Sequence, residues 1–389
     1  MRAFEIFWIF LKLGLTSFGG PVAHLGYFRR AFVEKHKWIS EADFASLIGL
    51  CQFLPGPASS QTGFGIGLLR AGWLGGLAAW LGFTLPSAAI MFVAATQLHA
   101  IGGSLVGQKI LHGLQLVAIA VVAEAVVTMT NNLCRDFSTR TLAVIGLLIV
   151  TLLPSSLGQI SALIIGGIIG RYLLDRPKDP PAALTSPGLG LSHKVGILCG
   201  VAFLALLAVS FTLPLLGTGT LFSAFYRTGA LVFGGGHVVL PLLSRAVVQS
   251  GWVPEDIFLA GYGIAQAMPG PLFTFAAFLG AVANGASGNF GGATIAVFAI
   301  FLPGLLLVAA VLPFWHGLKN RPNVAMTIVG LNAIVVGMLG YALINLVIVG
   351  TARSILDCVI VTSAYLALTK IKIPPIGVVC LVVITAVVF

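Results

Sequence analysis

Two Pro-Gly-Pro triplets interrupt apolar stretches of this sequence, at Pro55-Gly56-Pro57 and at Pro269-Gly270-Pro271. Proline lacks a backbone N–H and clashes with the preceding helical turn, and glycine is costly inside a helix. In a membrane, a backbone group freed in this way must find another partner. The second half of a broken helix can aim its unpaired N–H groups and positive dipole end at an anion. The triplets therefore predict an anion-binding site, although each could simply turn the chain between two ordinary helices.

Polar side chains flank both triplets. Ser59 and Ser60 follow the first triplet and Thr274 follows the second, and their hydroxyls can donate to an oxyanion. Gln52 and Gln266 each stand three residues before a triplet. An amide there could bind the oxyanion, or it could satisfy backbone groups freed by the prolines, and the sequence leaves both roles open.

Two cations lie within apolar segments, Lys12 two residues before Gly14 and Arg227 two residues before Gly229. A cation inside the membrane costs about 2.5–3.5 kcal/mol on insertion scales and is a functional candidate by default. The alternative is that both side chains extend to the membrane surface. We include both cations in the predicted substrate site.

Phe-Gly-Gly elements follow both cations and contain the glycine pairs Gly19-Gly20 and Gly234-Gly235. These glycines predict either close helix packing or a second break, and we include them in the site. Glu124 is the one carboxylate deep in an apolar segment, which makes it a candidate for proton coupling or for pairing with a Lys or Arg.

The composition excludes a soluble protein. Of the 389 residues 58% are hydrophobic and 8% are charged, whereas soluble domains carry about 25% charged residues. Continuous apolar runs also argue against a β-barrel. The sequence therefore predicts an all-α polytopic membrane protein with about thirteen apolar segments, given the roughly 20 residues that a spanning helix needs. The net charge of +10 fits cytoplasmic anchoring and an anionic substrate, and its dispersal argues against nucleic acid.

The chain contains an internal repeat. "FLKLGLTSFGGP" at 10–21 aligns with "FYRTGALVFGGG" at 225–236, and "WISEADFASLIGLCQFLPGP" at 38–57 aligns with "WVPEDIFLAGYGIAQAMPGP" at 252–271. Further matches pair Gly113 with Gly330, and Glu124 falls opposite Tyr341. We predict this division: an N-terminal repeat over 1–174, a polar linker over 175–193, an extra connecting helix over 194–217 and a C-terminal repeat over 218–389.

The orientation of the two repeats stays open in the sequence. If every segment spans once, the extra helix makes the repeats inverted, and we favour this arrangement. If each Pro-Gly-Pro segment is a re-entrant hairpin, the repeats are parallel. Lys and Arg side chains do not decide, because both the first connection (29–37) and the linker carry the positive charge expected of the cytoplasmic side.

These motifs resemble the chromate ion transporter (CHR) family. The likeness rests on Phe-Gly-Gly-Pro at 18–21, Trp-Ile-Ser-Glu at 38–41, Gln-x-x-Pro-Gly-Pro at 52–57 and the degenerate second copy, and it covers most of the chain in the long, two-domain form. The resemblance implies export of chromate across the bacterial inner membrane, driven by the membrane potential or a proton gradient. The second copy departs from the first where Pro21 becomes Gly236, so the two halves are not expected to contact substrate identically.

Three other interpretations compete with chromate transport. The first is a carrier or channel for another oxyanion such as sulfate, which the sequence does not distinguish. The second is an intramembrane serine protease, with Ser287 of "GASG" as nucleophile, but this stretch is more typical of a turn. The third is a scaffold, which has no use for paired helix breaks. We therefore expect a transporter and not an enzyme, with no cofactor and no metal; a homodimer is compatible with the sequence.

Overall fold

A computed structural model of the chain describes residues 2–101, 104–154, 156–174, 192–215, 220–233, 236–285, 288–315, 322–348 and 354–388. Every regular element in these ranges is helical, which confirms the predicted fold class. Most of the linker, together with Gly234, Gly235 and Ser287, lies outside the described residues.

The first half of the chain comprises seven helices. A π-helical segment, Arg29–Lys35, extends α2, and Ser40 caps α3 by accepting a hydrogen bond from the Asp43 N–H. The helices are α1 (Arg2–Thr16), α2 (Gly20–Phe28), α3 (Glu41–Phe53), α4 (Ala58–Ile101), α5 (Leu105–Leu133), α6 (Phe137–Leu152) and α7 (Ser156–Leu173).

A connecting helix and a second set of helices follow. Short 3-10 segments, Gly236–Val238 and Leu272–Thr274, precede α10 and α12, and a π-helical segment, Ser244–Val248, extends α10. The helices are α8 (His193–Leu215), α9 (Leu221–Leu231), α10 (Val239–Leu243), α11 (Glu255–Ala267), α12 (Phe275–Val282), α13 (Phe290–Val311), α14 (Pro322–Ile348), α15 (Ile355–Leu366) and α16 (Pro375–Val388).

Five of the described helices are long and apolar enough to cross a membrane, over Ala58–Gln97, Leu105–Leu133, His193–Leu213, Phe290–Phe314 and Ala325–Val347. The first of these is kinked, because Ala71 and Gly72 depart from helical geometry and Gly72 has a φ of +64°. The remaining helices are shorter. Four of them, α1, α3, α9 and α11, end just before a Phe-Gly-Gly or Pro-Gly-Pro element.

The two halves exchange helices, in the sense that the last helix of each half packs on a long helix of the other half. Gly113 of α5 packs on Val382, Val383 and Ala386 of the last helix, α16. The repeat-equivalent Gly330 of α14 packs on the last helix of the first half, α7, where an added Cβ would lie 2.1 Å from the carbonyl oxygen of Gly166. The small residue lets the helix backbones approach closely at both places. Each long helix is thus held by the final helix of the opposite half.

The equivalent helices α4 and α13 run antiparallel. Trp80 of α4 meets Phe298 and Phe301, with ring centroids 5.2 and 5.9 Å apart. Three turns further along α4, Phe92 meets Phe290 at the start of α13, with ring centroids 5.6 Å apart. Because the contacts ascend one helix while descending the other, equivalent elements of the two halves point in opposite directions, as inverted repeats require.

Candidate functional site

Each Pro-Gly-Pro triplet donates a backbone hydrogen bond to the opposite half of the chain, and the two bonds are reciprocal. The N–H of Gly56 donates to the carbonyl of Val232 at 2.7 Å, and the N–H of Gly270 donates to the carbonyl of Ser17 at 2.8 Å. Ser17 and Val232 are repeat-equivalent residues that each stand just before a Phe-Gly-Gly element. At each break, the glycine N–H therefore finds a backbone carbonyl in the other half. This hydrogen bond offsets part of the cost of breaking a helix in a membrane.

The first triplet separates α3 from α4. Gly56 has a φ of +120°, and an added Cβ would lie 3.2 Å from the Cα of Gly304 in α13. The Gln61 side chain donates from Nε2 to the carbonyl of Pro55 at 2.9 Å and to that of Gly304 at 3.2 Å. Gln61 thus binds one carbonyl at the first triplet and one in α13, and it ties α4 to the second half.

The second triplet separates α11 from the Leu272–Thr274 segment. Gly270 has a φ of +88°, and an added Cβ would lie 2.9 Å from the hydroxyl oxygen of Ser87 in α4. Thr274 is buried, and its hydroxyl donates to the carbonyl of Pro271 at 2.7 Å. Phe275 stands at the repeat position equivalent to Gln61. The second break therefore has no amide at this position, and its local hydrogen bonds differ from those of the first break.

The Phe-Gly-Gly element of the first half is a second break. Gly19 and Gly20 have φ values of +100° and +76°, and α2 begins at Gly20 with Pro21 in its first turn. Pro21 lies beside its repeat equivalent Gly236, with its Cγ 3.6 Å from the position of an added Cβ there; the Leu272 side chain is 3.4 Å from the same position. The starts of α2 and of the two 3-10 segments are therefore neighbours.

A buried polar cluster joins these breaks. His24 of α2 is 1% exposed; its Nε2 lies 3.1 Å from the carbonyl oxygen of Ser17 and its Nδ1 lies 3.4 Å from the Ser59 hydroxyl. The carbonyl can only accept, so Nε2 carries the proton and Nδ1 accepts from Ser59. The hydroxyls of Ser17 and Ser60 are also buried and have no hydrogen-bond partner among the described residues. Unpartnered buried donors are costly and call for a ligand or water.

The predicted cations occupy different environments. Lys12 is exposed on α1, whereas Arg227 of α9 is half-buried with its guanidinium over the Phe211 ring, 5.4 Å from the ring centroid. Arg30 is exposed and its repeat equivalent Arg245 is buried. Arg227 and Arg245 line one cavity together, and the structure does not bring Lys12 into it.

The remaining predicted residues are the two glutamines before the triplets and Glu124. Gln52 is exposed and Gln266 is half-buried. Glu124 is half-buried on α5 and accepts a hydrogen bond from the Thr128 hydroxyl at 2.8 Å, one turn along the same helix. Its repeat equivalent Tyr341 is covered by Arg245, whose guanidinium carbon is 5.6 Å from the ring centroid. The two halves are therefore chemically different at this position.

The charged rim of the first half is stabilised separately. Arg29 donates from Nε to Glu41 at 2.8 Å and also contacts Glu34. The hydrogen bond and charge of Glu41 raise the pKa of the Arg29 guanidinium above its usual value. Glu41 lies in the first turn of α3, beside the Ser40 cap. The contacts of Arg29 with Glu34 and Glu41 therefore orient the connection between α2 and α3.

The predicted site leaves out Gln61, His24 and Gln159, which are parts of the polar network. Gln61 directly follows the serine pair of the first triplet, and that position was a usable signal. Gln159 of α7 lines the same cavity as Arg227, and its Nε2 donates to the carbonyl of Pro241 at 3.5 Å. Its partner lies in the other half of the chain, so spacing along the sequence gave no sign of it.

Two repeated sets of helices, broken at reciprocal positions and joined by apolar spans, define a multi-pass helical membrane transporter. The particular family follows from comparison with known proteins. The chain belongs to the chromate transporter family, whose model, described as "Chromate transporter", matches residues 4–171 and again 219–388. This confirms the resemblance and the duplication.

Named relatives cover most of the chain. It is 29% identical to a chromate transport protein of Pseudomonas aeruginosa over 90% of this chain and 82% of that protein. It is 28% identical to a probable chromate transport protein of Synechococcus elongatus over 87% of this chain and 82% of that protein. A chromate transport protein of Cupriavidus metallidurans is 27% identical over 94% of this chain and 86% of its own length. No solved structure matches the chain.

Proposed function

We propose that this protein exports chromate from the cytoplasm across the bacterial inner membrane, driven by the membrane potential or a proton gradient. The substrate is supported by the relatives, which are named as chromate transport proteins. The observation that carries the proposal is the reciprocal pair of helix breaks. Beside them lie the buried hydroxyls of Ser17 and Ser60, which have no hydrogen-bond partner in the described part of the chain.

The breaks suit a tetrahedral dianion. Chromate has four oxygens that accept hydrogen bonds and none that donate, so it requires a site rich in donors. The first turns of α2 and α4 present unpaired N–H groups and the positive ends of their helix dipoles. Ser60 adds a hydroxyl donor at the start of α4, where Ser59 would join only by giving up its hydrogen bond to His24. Gly19 and Gly20 leave the start of α2 open for close approach.

The predicted division of the chain belongs to the same proposal. In it, the repeats over 1–174 and 218–389 move against each other around the breaks, so that the site faces the cytoplasm and then the opposite side. Glu124 is the proposed coupling group, because it is a half-buried carboxylate in a spanning helix. The antiparallel course of α4 and α13 supports inverted repeats.

The experiment is uptake of labelled chromate into inverted inner-membrane vesicles that contain the protein, with and without an uncoupler, and with sulfate as competitor. Export from cells appears as uptake into such vesicles. We expect chromate accumulation that the uncoupler abolishes and that vesicles lacking the protein do not show. Accumulation of sulfate without chromate would replace the substrate and keep the transporter. Equilibration without accumulation would contradict active export.

A further inference from the structure

A small cavity of about 20 Å³ lies between helices of the second half and α7 of the first half. Its walls come from α9, from α10 with its π-helical extension, and from α7 of the first half. Four of its lining side chains are polar: Gln159, Arg227, Thr228 and Arg245. The lining residues that the structure gives include two guanidinium groups and no carboxylate.

The charge of Arg227 is not balanced by a neighbouring acid. The guanidinium rests on Phe211 of α8, and no ion pair joins Arg227 to a carboxylate in the described part of the chain. A buried charge without a counter-ion is costly. An anion in the cavity would supply the counter-ion for Arg227 and would offset the repulsion between Arg227 and Arg245.

The polar groups match an oxyanion. Arginine presents several N–H donors in a planar fork that fits oxyanions in a bidentate manner. The amide of Gln159 can add a donor. A cavity of this volume holds about one water, so a tetrahedral ion would need the two long arginine side chains to move outward.

Both arginines of the cavity belong to the second half. The repeat equivalents of Arg227 and Arg245 are Lys12 and Arg30, and both are exposed. The face of α9 is covered by α8, and α10 is covered by α7 through the Gln159–Pro241 hydrogen bond. The first half therefore carries the same two charges at equivalent positions without an enclosing wall.

The cavity adjoins the first helix break. Leu231 lines it, and the next residue, Val232, accepts the hydrogen bond from Gly56 at 2.7 Å. A shift of α9 on filling the cavity would therefore act directly on the backbone of Pro55-Gly56-Pro57. This contact provides a short path between the cavity and the proposed central site.

We propose that this cavity is a second oxyanion-binding site, in which Arg227 and Arg245 hold one tetrahedral dianion beside the first Pro-Gly-Pro break. The site rests on the proposed function, because it takes the same class of substrate, but it assigns binding to the second half alone. It makes the two repeats functionally unequal.

The first test measures equilibrium binding of labelled chromate and labelled sulfate to the purified full-length protein. We compare Arg227→Gln and Arg245→Gln with two controls in the first half: Arg30→Gln, which removes the charge equivalent to Arg245, and Arg70→Gln, which removes another exposed arginine. We expect each cavity variant to weaken binding about tenfold or more and each control to change it less than about twofold. Thermal unfolding of every variant reports whether it is folded.

The double variant Arg227→Gln/Arg245→Gln sharpens this test. If both guanidinium groups hold one ion, their effects are coupled, and the double variant should lose less than the product of the two single losses. Binding that the cavity variants leave unchanged, or that the controls weaken equally, would overturn the site. Wild-type chromate flux measured in parallel separates this failure from failure of the proposed function, because flux can persist without this site.

A second test does not depend on arginine variants folding. Thr228→Cys, in a background of Cys358→Ser and Cys380→Ser to remove the exposed native thiols, places a thiol in the cavity wall. We measure its labelling by an anionic methanethiosulfonate reagent with and without sulfate, since chromate would oxidise the thiol. Sulfate should slow labelling about fivefold or more, whereas chloride at equal ionic strength should not. Equal labelling in both salts would contradict the proposal.

Discussion

At the residue scale, Gly56 and Gly270 hold the two breaks in conformations that disfavour any side chain. Their φ values are +120° and +88°, and an added Cβ would meet Gln61 and Gly304 in one case and Ser87 in the other. We predict that Gly56→Ala and Gly270→Ala each lower the free energy of unfolding by about 2 kcal/mol or more, from backbone strain and crowding together. Thermal unfolding in detergent measures this.

Gly26→Ala is the matched control for these substitutions. Gly26 lies in α2, where no atom of the described residues comes within 4 Å of an added Cβ, and its φ lies outside the left-handed region. An alanine there should leave stability unchanged or raise it by up to about 1 kcal/mol, because it favours the helix. If all three alanine variants melted alike, the strained geometry at the triplets would be refuted.

The sequence located the two triplets as breaks because proline and glycine disrupt helices in any context. It did not assign Gln61, because the Gly304 carbonyl that Gln61 binds belongs to the other half of the chain. Nor did it separate Lys12 from Arg227, which occupy the same repeat position. Only the packing of α8 and α7 over the second half makes their surroundings differ.

At the element scale, the exchange of helices depends on glycine at the crossings. An added Cβ at Gly330 of α14 would lie 2.1 Å from the Gly166 carbonyl oxygen and 2.7 Å from the Gly170 Cα. We predict that Gly330→Ala destabilises the protein by about 1–3 kcal/mol through overpacking. Gly340→Ala, on the same helix, would meet only Leu147 at 3.5 Å and should be neutral or slightly stabilising.

Urea or thermal unfolding of the two variants tests whether α14 packs tightly on α7 at Gly330 or only lies near it. A Gly340→Ala protein less stable than Gly330→Ala would argue against the packing of α14 on α7. The sequence revealed the match of Gly113 with Gly330, since repeats preserve position. It did not reveal that each glycine faces the opposite half, because helix exchange leaves no pattern within either repeat.

At the scale of the whole molecule, the antiparallel course of α4 and α13 makes the halves inverted. Thr96, near the end of α4, lies beside Gly288, just before α13, and its Cβ is 3.9 Å from the position of an added Cβ there. This distance suits a disulfide. We predict that Thr96→Cys/Gly288→Cys cross-links on mild oxidation, which mass spectrometry of the intact and digested chain detects.

Thr96→Cys/Val311→Cys is the control pair, because Val311 ends α13 at its far side. Efficient cross-linking of the control and none of the first pair would indicate parallel helices. The sequence left this choice open, since Lys and Arg residues mark both the first connection and the linker as cytoplasmic. Ring contacts along α4 and α13 give the direction that loop charges did not.

The central claim is that this chain by itself moves an oxyanion across a membrane. The most direct measurement is counterflow of labelled chromate in liposomes that contain only the purified protein and are preloaded with unlabelled chromate. We predict transient, saturable accumulation of label, reduced by Gly56→Ala and unaffected by Gly26→Ala. Purified, folded protein that gives no more entry of labelled chromate than empty liposomes would contradict the account.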